Sequence, residues 1–356
     1  MLRNARILLP LILALAGCAR NETAVGDTSC GYASYFDIIC AEDGNPSAVV
    51  VISPYDSHRD TLHVDASLDN IICMSSSHVA ALASVGADTV ISAVSGIRYI
   101  SDPKLRSRYP ESLHDIGYEN SLDYETIVSL KPDLLVTYTI TGAEPPYVTK
   151  LKSLGIPVLV LHDHLEEHPL ARAEYVRLFG AMTGRHAFAD SLFNTVRSRY
   201  DSLATKAECD PERRVKVLMN IPYGDAWYIP GADSYMSRLV SDAGGVVLGS
   251  AEGMAVSRVV KMEEAYVLSQ KAECWLNPGH CRTRNELSRI HQLFPSFGPL
   301  SGNRPIYNNT LRTTPEGGND FWESGAMRPD LILEDLIAIF SGEDADGDLN
   351  YFFRLD

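Results

Sequence analysis

The densest run of chemistry-bearing side chains in this sequence is His162-Asp163-His164, followed after Leu165 by Glu166-Glu167 and His168. Imidazoles and carboxylates are the donor types that divalent cations take. His78, His162 and His280 with Asp320 would give three histidines and one carboxylate, a set that suits a bare zinc or manganese ion. The same run stands before Pro169, a helix-opening signal. Asp163 or Glu166 would then serve as a helix cap and nothing more. Tyrosines, tryptophans and arginines offer a different chemistry. Aromatic faces suit a flat macrocycle or a catecholate, and guanidinium groups suit an anionic chelate. Signals for catalysis are absent from the sequence. There is no Gly-x-Ser-x-Gly, no His-Glu-x-x-His and no phosphate-binding glycine loop. The acidic run at 342–348 has its glycine out of register for a calcium loop and reads as a solvated turn.

The elements that must position these groups come next. Short β-rich runs at 48–53, 71–74, 89–94, 134–138 and 157–161 alternate with helical patterns at 79–85, 124–130 and 146–154. A further run at 61–64 is expected to pair with a strand nearby. Such alternation predicts a parallel sheet covered by helices. Residues 169–206 break the rhythm with two consecutive helices. In the second, Phe188, Leu192, Val196, Tyr200 and Leu203 recur at helical spacing. About twenty residues at roughly 1.5 Å each give about 30 Å, enough to cross between domains. Strand–helix alternation then resumes at 215–219, 234–243, 262–268, 273–276, 285–293, 305–308 and 329–340. The fold class expected is α/β, with two parallel-sheet lobes bridged by one long helix and a ligand cleft between them.

The N-terminus fixes the compartment. Arg3 and Arg6 precede an apolar run at 7–16, and Leu15-Ala16-Gly17-Cys18 follows the pattern of a bacterial lipobox. The division expected is a signal peptide at 1–17, a lipid-anchored tether and extension at 18–46, a first α/β lobe at 47–168, a helical segment with the bridge at 169–207, and a second lobe at 208–356. Cys18 is the expected lipidation site, and the membrane is met through that anchor on the periplasmic side of the cell envelope. Among the other cysteines, Cys30 with Cys40 and Cys274 with Cys281 could pair in an oxidising compartment, the alternative being buried thiols, as Cys73 in its apolar strand is expected to be.

Composition sets outer limits. The chain has 356 residues, is 45% hydrophobic and 22% charged, and carries 31 basic against 46 acidic side chains for a formal charge of −15. These are globular values, and the acidic balance without a basic run argues against a nucleic-acid partner. A monomer is expected.

Four stretches carry a resemblance. Residues 123–136 place Glu125 and Ile127 before Leu130-Lys131-Pro132-Asp133-Leu134. Leu151 to Pro157 leads into the strand at 158–161. Pro230-Gly231 through Ser234 is followed by Gly244-Gly245. Gly317-Gly318-Asn319-Asp320-Phe321-Trp322-Glu323 comes before Arg328-Pro329-Asp330. In order and spacing these resemble the substrate-binding lipoproteins of ABC importers for ferric siderophores, haem and vitamin B12, and the last resembles their Bacteroidetes-type branch. The resemblance covers residues 48–356. It implies capture of a metal chelate, most simply a ferric siderophore, with haem or a corrinoid as alternatives. It also implies delivery to a permease dimer, no enzymatic activity and no resident cofactor. A bare zinc or manganese carrier and a chelatase on the same architecture are the rivals.

The resemblance places a permease-docking glutamate on each lobe, here Glu125 and Glu264, with Glu263 one position from the second. Ligand contacts should come from loops after strand carboxyl ends. In the first lobe these are Ser77, His78, Tyr99, Tyr118, Thr139 and His162. In the second they are Tyr223, Trp227, Asn277, Arg282, Asn309 and Trp322. No metal-binding residues are expected under the chelate reading.

Overall fold

The computed structural model describes residues 27–28, 31–64, 66–208, 211–343 and 348–356. The signal peptide, Cys18, Cys30, Cys209 and most of the acidic run lie outside the described residues.

The chain begins with an antiparallel sheet of β1 (Asp27–Thr28), β2 (Phe36–Cys40), β3 (Pro46–Ile52) and β4 (Arg59–His63). The runs expected at 48–53 and 61–64 therefore belong to a sheet of their own. Residues 31–35 are pinned to the helix that follows the first lobe. Glu174, fully buried, accepts backbone N–H groups from Gly31, Tyr32 and Ala33 at 2.8–3.0 Å. Glu166 accepts those of Ser34 and Tyr35.

The first lobe is a parallel sheet of β5 (Ile71–Cys73), β6 (Ile91–Val94), β7 (His114–Asp115), β8 (Leu134–Tyr138) and β9 (Val158–Leu161), in the order β7-β6-β5-β8-β9. Its central strands are apolar on both faces because helices cover both. They are α1 (Ser76–Ser84), α2 (Pro103–Arg106), α3 (Tyr124–Leu130) and α4 (Pro146–Ser153). Asp123 caps α3 by accepting from the Thr126 amide, and Lys131 ends it in a left-handed turn. Pro132 forbids continuation.

Two helices follow, α5 (Pro169–Met182) and the bridge α6 (His186–Ala207). Every residue of α5 except Arg177 is buried. The bridge is stitched to both sides. Arg177 on α5 meets Asp190 at 2.7 Å. Arg199 meets Asp330 and Glu334 of the last helix, and the Tyr200 hydroxyl donates to Asp242.

The second lobe has β10 (Val215–Met219), β13 (Gly245–Val247), β15 (Cys274–Leu276) and β16 (Ile306–Asn308) in parallel, closed by antiparallel β17 (Phe353–Arg354), in the order β13-β10-β15-β16-β17. A small antiparallel sheet joins β11 (Pro222–Tyr223), β12 (Ala226–Ile229) and β14 (Arg258–Val260). The helices are α7 (Tyr235–Asp242), α8 (Met262–Lys271), α9 (Arg284–Ile290), α10 (Gly298–Ser301), α11 (Ser324–Met327) and α12 (Pro329–Ser341). Trp227, Trp275, Phe294 and Phe297 form an aromatic core with ring centroids 5.0–6.0 Å apart. The α/β reading with two parallel-sheet lobes and one bridging helix holds. Cys281 is a buried thiol and not the disulfide partner of Cys274, and Cys73 is a buried thiol with burial pushing its pKa up. No helix among the described residues is long and apolar enough to cross a membrane.

Candidate functional site

The lobes meet along the carboxyl ends of their strands. Between them lies a cavity of about 480 Å³, within the range of small-molecule sites. The first lobe lines it with His164, Leu165 and Glu167 from the turn after β9, and α5 adds Arg172. The second lobe supplies Asn220 after β10, Asn277 after β15, the start of α7 at Ser234, Tyr235 and Met236, the loop at 255–257, and Trp322. Asn220 and Asn277 both sit in the left-handed region, at φ 66° and 58°. Asparagine tolerates that conformation, so each strand can turn sharply at the cleft.

The cavity wall holds polar atoms that nothing satisfies. Arg172 Nε, both ring nitrogens of His164 and Asn277 Oδ1 have no hydrogen-bond partner among the described residues. Each such group costs about 1–3 kcal/mol. Arg172 is 8% exposed, and its guanidinium carbon lies 4.8 Å from the Tyr235 ring centroid. Its nearest carboxylate is Asp163 at 4.0 Å. Burial holds His164 below the usual histidine range. The Thr139 backbone lies near enough to oppose this, but without good hydrogen-bond geometry. Tyr138 packs edge-on to His164 at 5.8 Å.

Beneath the cavity lies a buried polar network. Asp163 accepts from the Ser77 hydroxyl at 2.7 Å and from His78 Nε2 at 3.1 Å. Burial alone would raise the Asp163 pKa, but His78, Arg172 and Ser77 together hold it below the ordinary range.

A segment of the second lobe presses on the first. A Cβ at Gly318 would come within 2.1 Å of the Tyr99 carbonyl oxygen, so only glycine fits. Glu323, 2% exposed, accepts backbone N–H groups from Ser101 and Asp102. Burial pushes Glu323 up to about 7. A larger groove of about 620 Å³ lies on the far side of this strap, between α1, α2 and residues 312–324. There Arg312 is paired with Asp320 at 3.2 Å.

Only Asn277 and Trp322 of the sequence-expected contacts line the inter-lobe cavity. Trp322 is 40% exposed and packs edge-on to Phe321. Trp227 does not line it. It is fully buried in the second-lobe core, and its indole N–H donates to the Met219 carbonyl. The alternation along β12 turns Trp227 inward and Tyr228 outward. Ser77 and His78 are buried in the Asp163 network, so they support the cavity and do not line it. Thr139 and His162 face a separate small cavity of about 140 Å³ against Tyr55 and His58. Asn309 is buried, Arg282 lies over the Phe353 ring, and Tyr223 is 84% exposed. Tyr99 and Tyr118 form an aromatic pair at 6.0 Å, and Arg98 already covers both. Among the described residues no cluster of three or more histidine, cysteine or carboxylate side chains is arranged to hold a metal ion.

Of the docking residues, Glu125 is exposed in the first turn of α3. Glu264 is half-buried and ion-paired with Arg258 at 2.7 Å, while Glu263 is exposed. The expected contact list missed Arg172 and His164. Their signal was an arginine at a buried position of α5 and a histidine one step past Asp163, which is not the helix cap the sequence offered, since His168 caps α5 and Asp163 accepts from Ser77 and His78.

A family model described as periplasmic binding protein matches residues 71–266, more than half of the chain. A lipoprotein of Methanocaldococcus jannaschii described as uncharacterized is 22% identical over 301 residues, 82% of this chain and 69% of the relative. A periplasmic binding protein of Veillonella parvula superposes with a TM-score of 0.61 at 13% identity, over 83% of this chain and 98% of that one. A periplasmic haem-binding protein of Pseudomonas aeruginosa gives 0.60 at 16% identity, over 81% and 98%. Binding proteins for vitamin B12 and for the iron–Desferal complex, both from Vibrio cholerae, share the fold.

Proposed function

The chain belongs to the periplasmic binding protein family, and from that membership we propose that it captures a metal chelate in the cell envelope and hands it to the permease dimer of an ABC importer. The family consists of substrate-binding proteins, so the chain binds and carries and is not an enzyme. The chelate is a ferric siderophore in the first instance, with haem or a corrinoid as alternatives. The fold relatives that bind haem, vitamin B12 and an iron–siderophore complex support this class. The observation that carries the reading is the cavity between the strand ends of two lobes, faced by Trp322 and by unsatisfied polar atoms of both sides. The protein is held to the membrane through an acyl group at Cys18, works as a monomer, and docks through Glu125 and Glu264. A carboxylate–guanidinium contact at a wet interface contributes orientation and on-rate more than affinity. One rigid bridge and the strap at Glu323 limit closure to a small rocking of the lobes.

The test is quenching of tryptophan fluorescence by haemin, cyanocobalamin, two ferric siderophores and zinc ion. Trp227 and Trp275 are buried, so a cleft ligand reports through Trp322. Saturable quenching by one chelate, lost in Trp322→Phe, supports the reading and names the chelate. Quenching by zinc alone, or by nothing in the panel, overturns it.

A further inference from the structure

The unsatisfied atoms face one cavity from its two sides, Arg172 and His164 from the first lobe's side and Asn277 from the second lobe, and have complementary polarity. Arg172 Nε can only donate, Asn277 Oδ1 can only accept, and a neutral His164 can do one of each at its two nitrogens. Buried polar groups in folded proteins are almost always satisfied, so a set of them on one cavity points to a group that arrives from outside. The charge balance narrows what that group is. Asp163 is the nearest carboxylate to Arg172, but its oxygens already accept from Ser77 and His78 and it stays 4.0 Å away. Glu166 also lines the cavity, but its oxygens are taken by the Ser34 and Tyr35 amides. Glu167 is exposed, where water and salt screen it. Arg172 therefore shares the charge of one distant carboxylate and keeps an unpaired Nε–H at the cavity. A planar cation with a free N–H fits an oxygen anion and repels a bare cation.

We propose that Arg172, His164 and Asn277 form one recognition set, which selects a chelate presenting an oxyanion to Arg172 beside an N–H or O–H donor to Asn277. This rests on the chelate-carrier reading above and deepens it. The oxyanion can be a free carboxylate at the edge of the chelate or a metal-bound oxygen, and the probes separate the two. Haemin and its dimethyl ester differ only in free carboxylates. Ferric citrate carries oxyanions that cationic ferrioxamine B lacks at its periphery, whereas ferrioxamine B keeps metal-bound oxygens.

The experiment is calorimetric titration of the full-length protein in nanodiscs with these four probes, for wild type, Arg172→Gln, Arg172→Lys and Asn277→Asp. Melting temperatures are taken in parallel. Loss of a charge-assisted hydrogen bond weakens binding roughly ten- to hundredfold. That loss is expected for Arg172→Gln with whichever oxyanion-bearing probe binds, and a smaller loss for Arg172→Lys. Asn277→Asp keeps the shape and the left-handed turn but adds a negative charge. It should weaken the anionic member of a pair and spare the neutral or cationic one. Equal loss for citrate and ferrioxamine assigns the contact to metal-bound oxygen, while equal loss for haemin and its ester, whose iron is held by porphyrin nitrogens, rules out an oxyanion contact for haem. Affinities within twofold of wild type in both Arg172→Gln and Asn277→Asp, in proteins that melt normally, overturn the recognition set and leave the carrier reading standing. If none of the four chelates binds wild type and cyanocobalamin also fails, the carrier reading falls and this inference with it.

Discussion

Glu323 of the second lobe accepts a 2.7 Å hydrogen bond from the Ser101 amide of the first, and its other oxygen takes the Asp102 amide at 3.1 Å. The carboxylate is nearly inaccessible, and burial raises its pKa from the ordinary carboxylate range to about 7. A carboxyl that binds its proton more tightly when folded stabilises the fold below pH 4.5. That contribution is lost as pH rises through 7. Buried His162 and half-buried His164 and His168, each shifted downward by burial, act in the opposite sense over part of the same window. The variant difference isolates Glu323. Urea unfolding of Glu323→Gln relative to wild type, compared at pH 5 and pH 8, should change by on the order of 3 kcal/mol in favour of the variant at the higher pH. A difference that does not move with pH would show that the two amides, and not burial, set the ionisation.

The two tryptophans assigned to the cleft by sequence should now separate. Trp227→Ala empties a site among Trp275, Phe294 and Phe297 and should cost about 3–5 kcal/mol in urea unfolding. Trp322→Ala should leave stability nearly unchanged and weaken the quenching chelate about tenfold or more. Equal destabilisation by the two would contradict the burial difference.

Asp163 binds Ser77 and His78 and faces Arg172 from within the floor of the cleft. Asp163→Asn preserves the shape but leaves a buried guanidinium without its nearest anion. The expected loss is about 3–5 kcal/mol. In wild type the depressed carboxyl contributes stability above pH 3.8 that is lost as the pH falls toward its folded value. Acid titration of unfolding should therefore show a steep loss below pH 4 that is blunted in the variant. The same acid slope in both would remove Asp163 from the account.

Docking and capture should come apart in variants. Glu125→Arg and Glu264→Arg are expected to bind chelate within twofold of wild type while uptake by whole cells falls tenfold or more. Because Arg258 already holds Glu264, Glu263→Arg serves as the companion. Uptake unimpaired in all three places the permease contact elsewhere.

Much of the frame was legible in the sequence. Residues 124–130 stand out because a capping aspartate precedes them and Lys131-Pro132 stops them, and 186–207 because one apolar stripe persists over six turns. The antiparallel sheet around Phe36–Cys40 was not legible, because a five-residue strand stands out only once its partners at 46–52 and 59–63 are in place. Site residues were harder for a related reason. Whether a side chain after a strand faces the cleft, the core or solvent depends on one residue of register, as Trp227 and Tyr228 show. Arg172 was hidden inside a buried helix, where only three-dimensional packing reveals that its acidic neighbours are already committed.

The contact between Ser101 and Glu323 joins residues 222 positions apart in the chain. Closing so long a loop is entropically slow to achieve by chance, and such pairings form after local ones. Each lobe can collapse on its own strands and helices beforehand, leaving the loop at 99–102 to wait for its partner. The strap is therefore expected to form late in refolding and to yield early in denaturant. A chain that has secured both lobes but not this contact would already look native by helix content while its cleft is still unfinished.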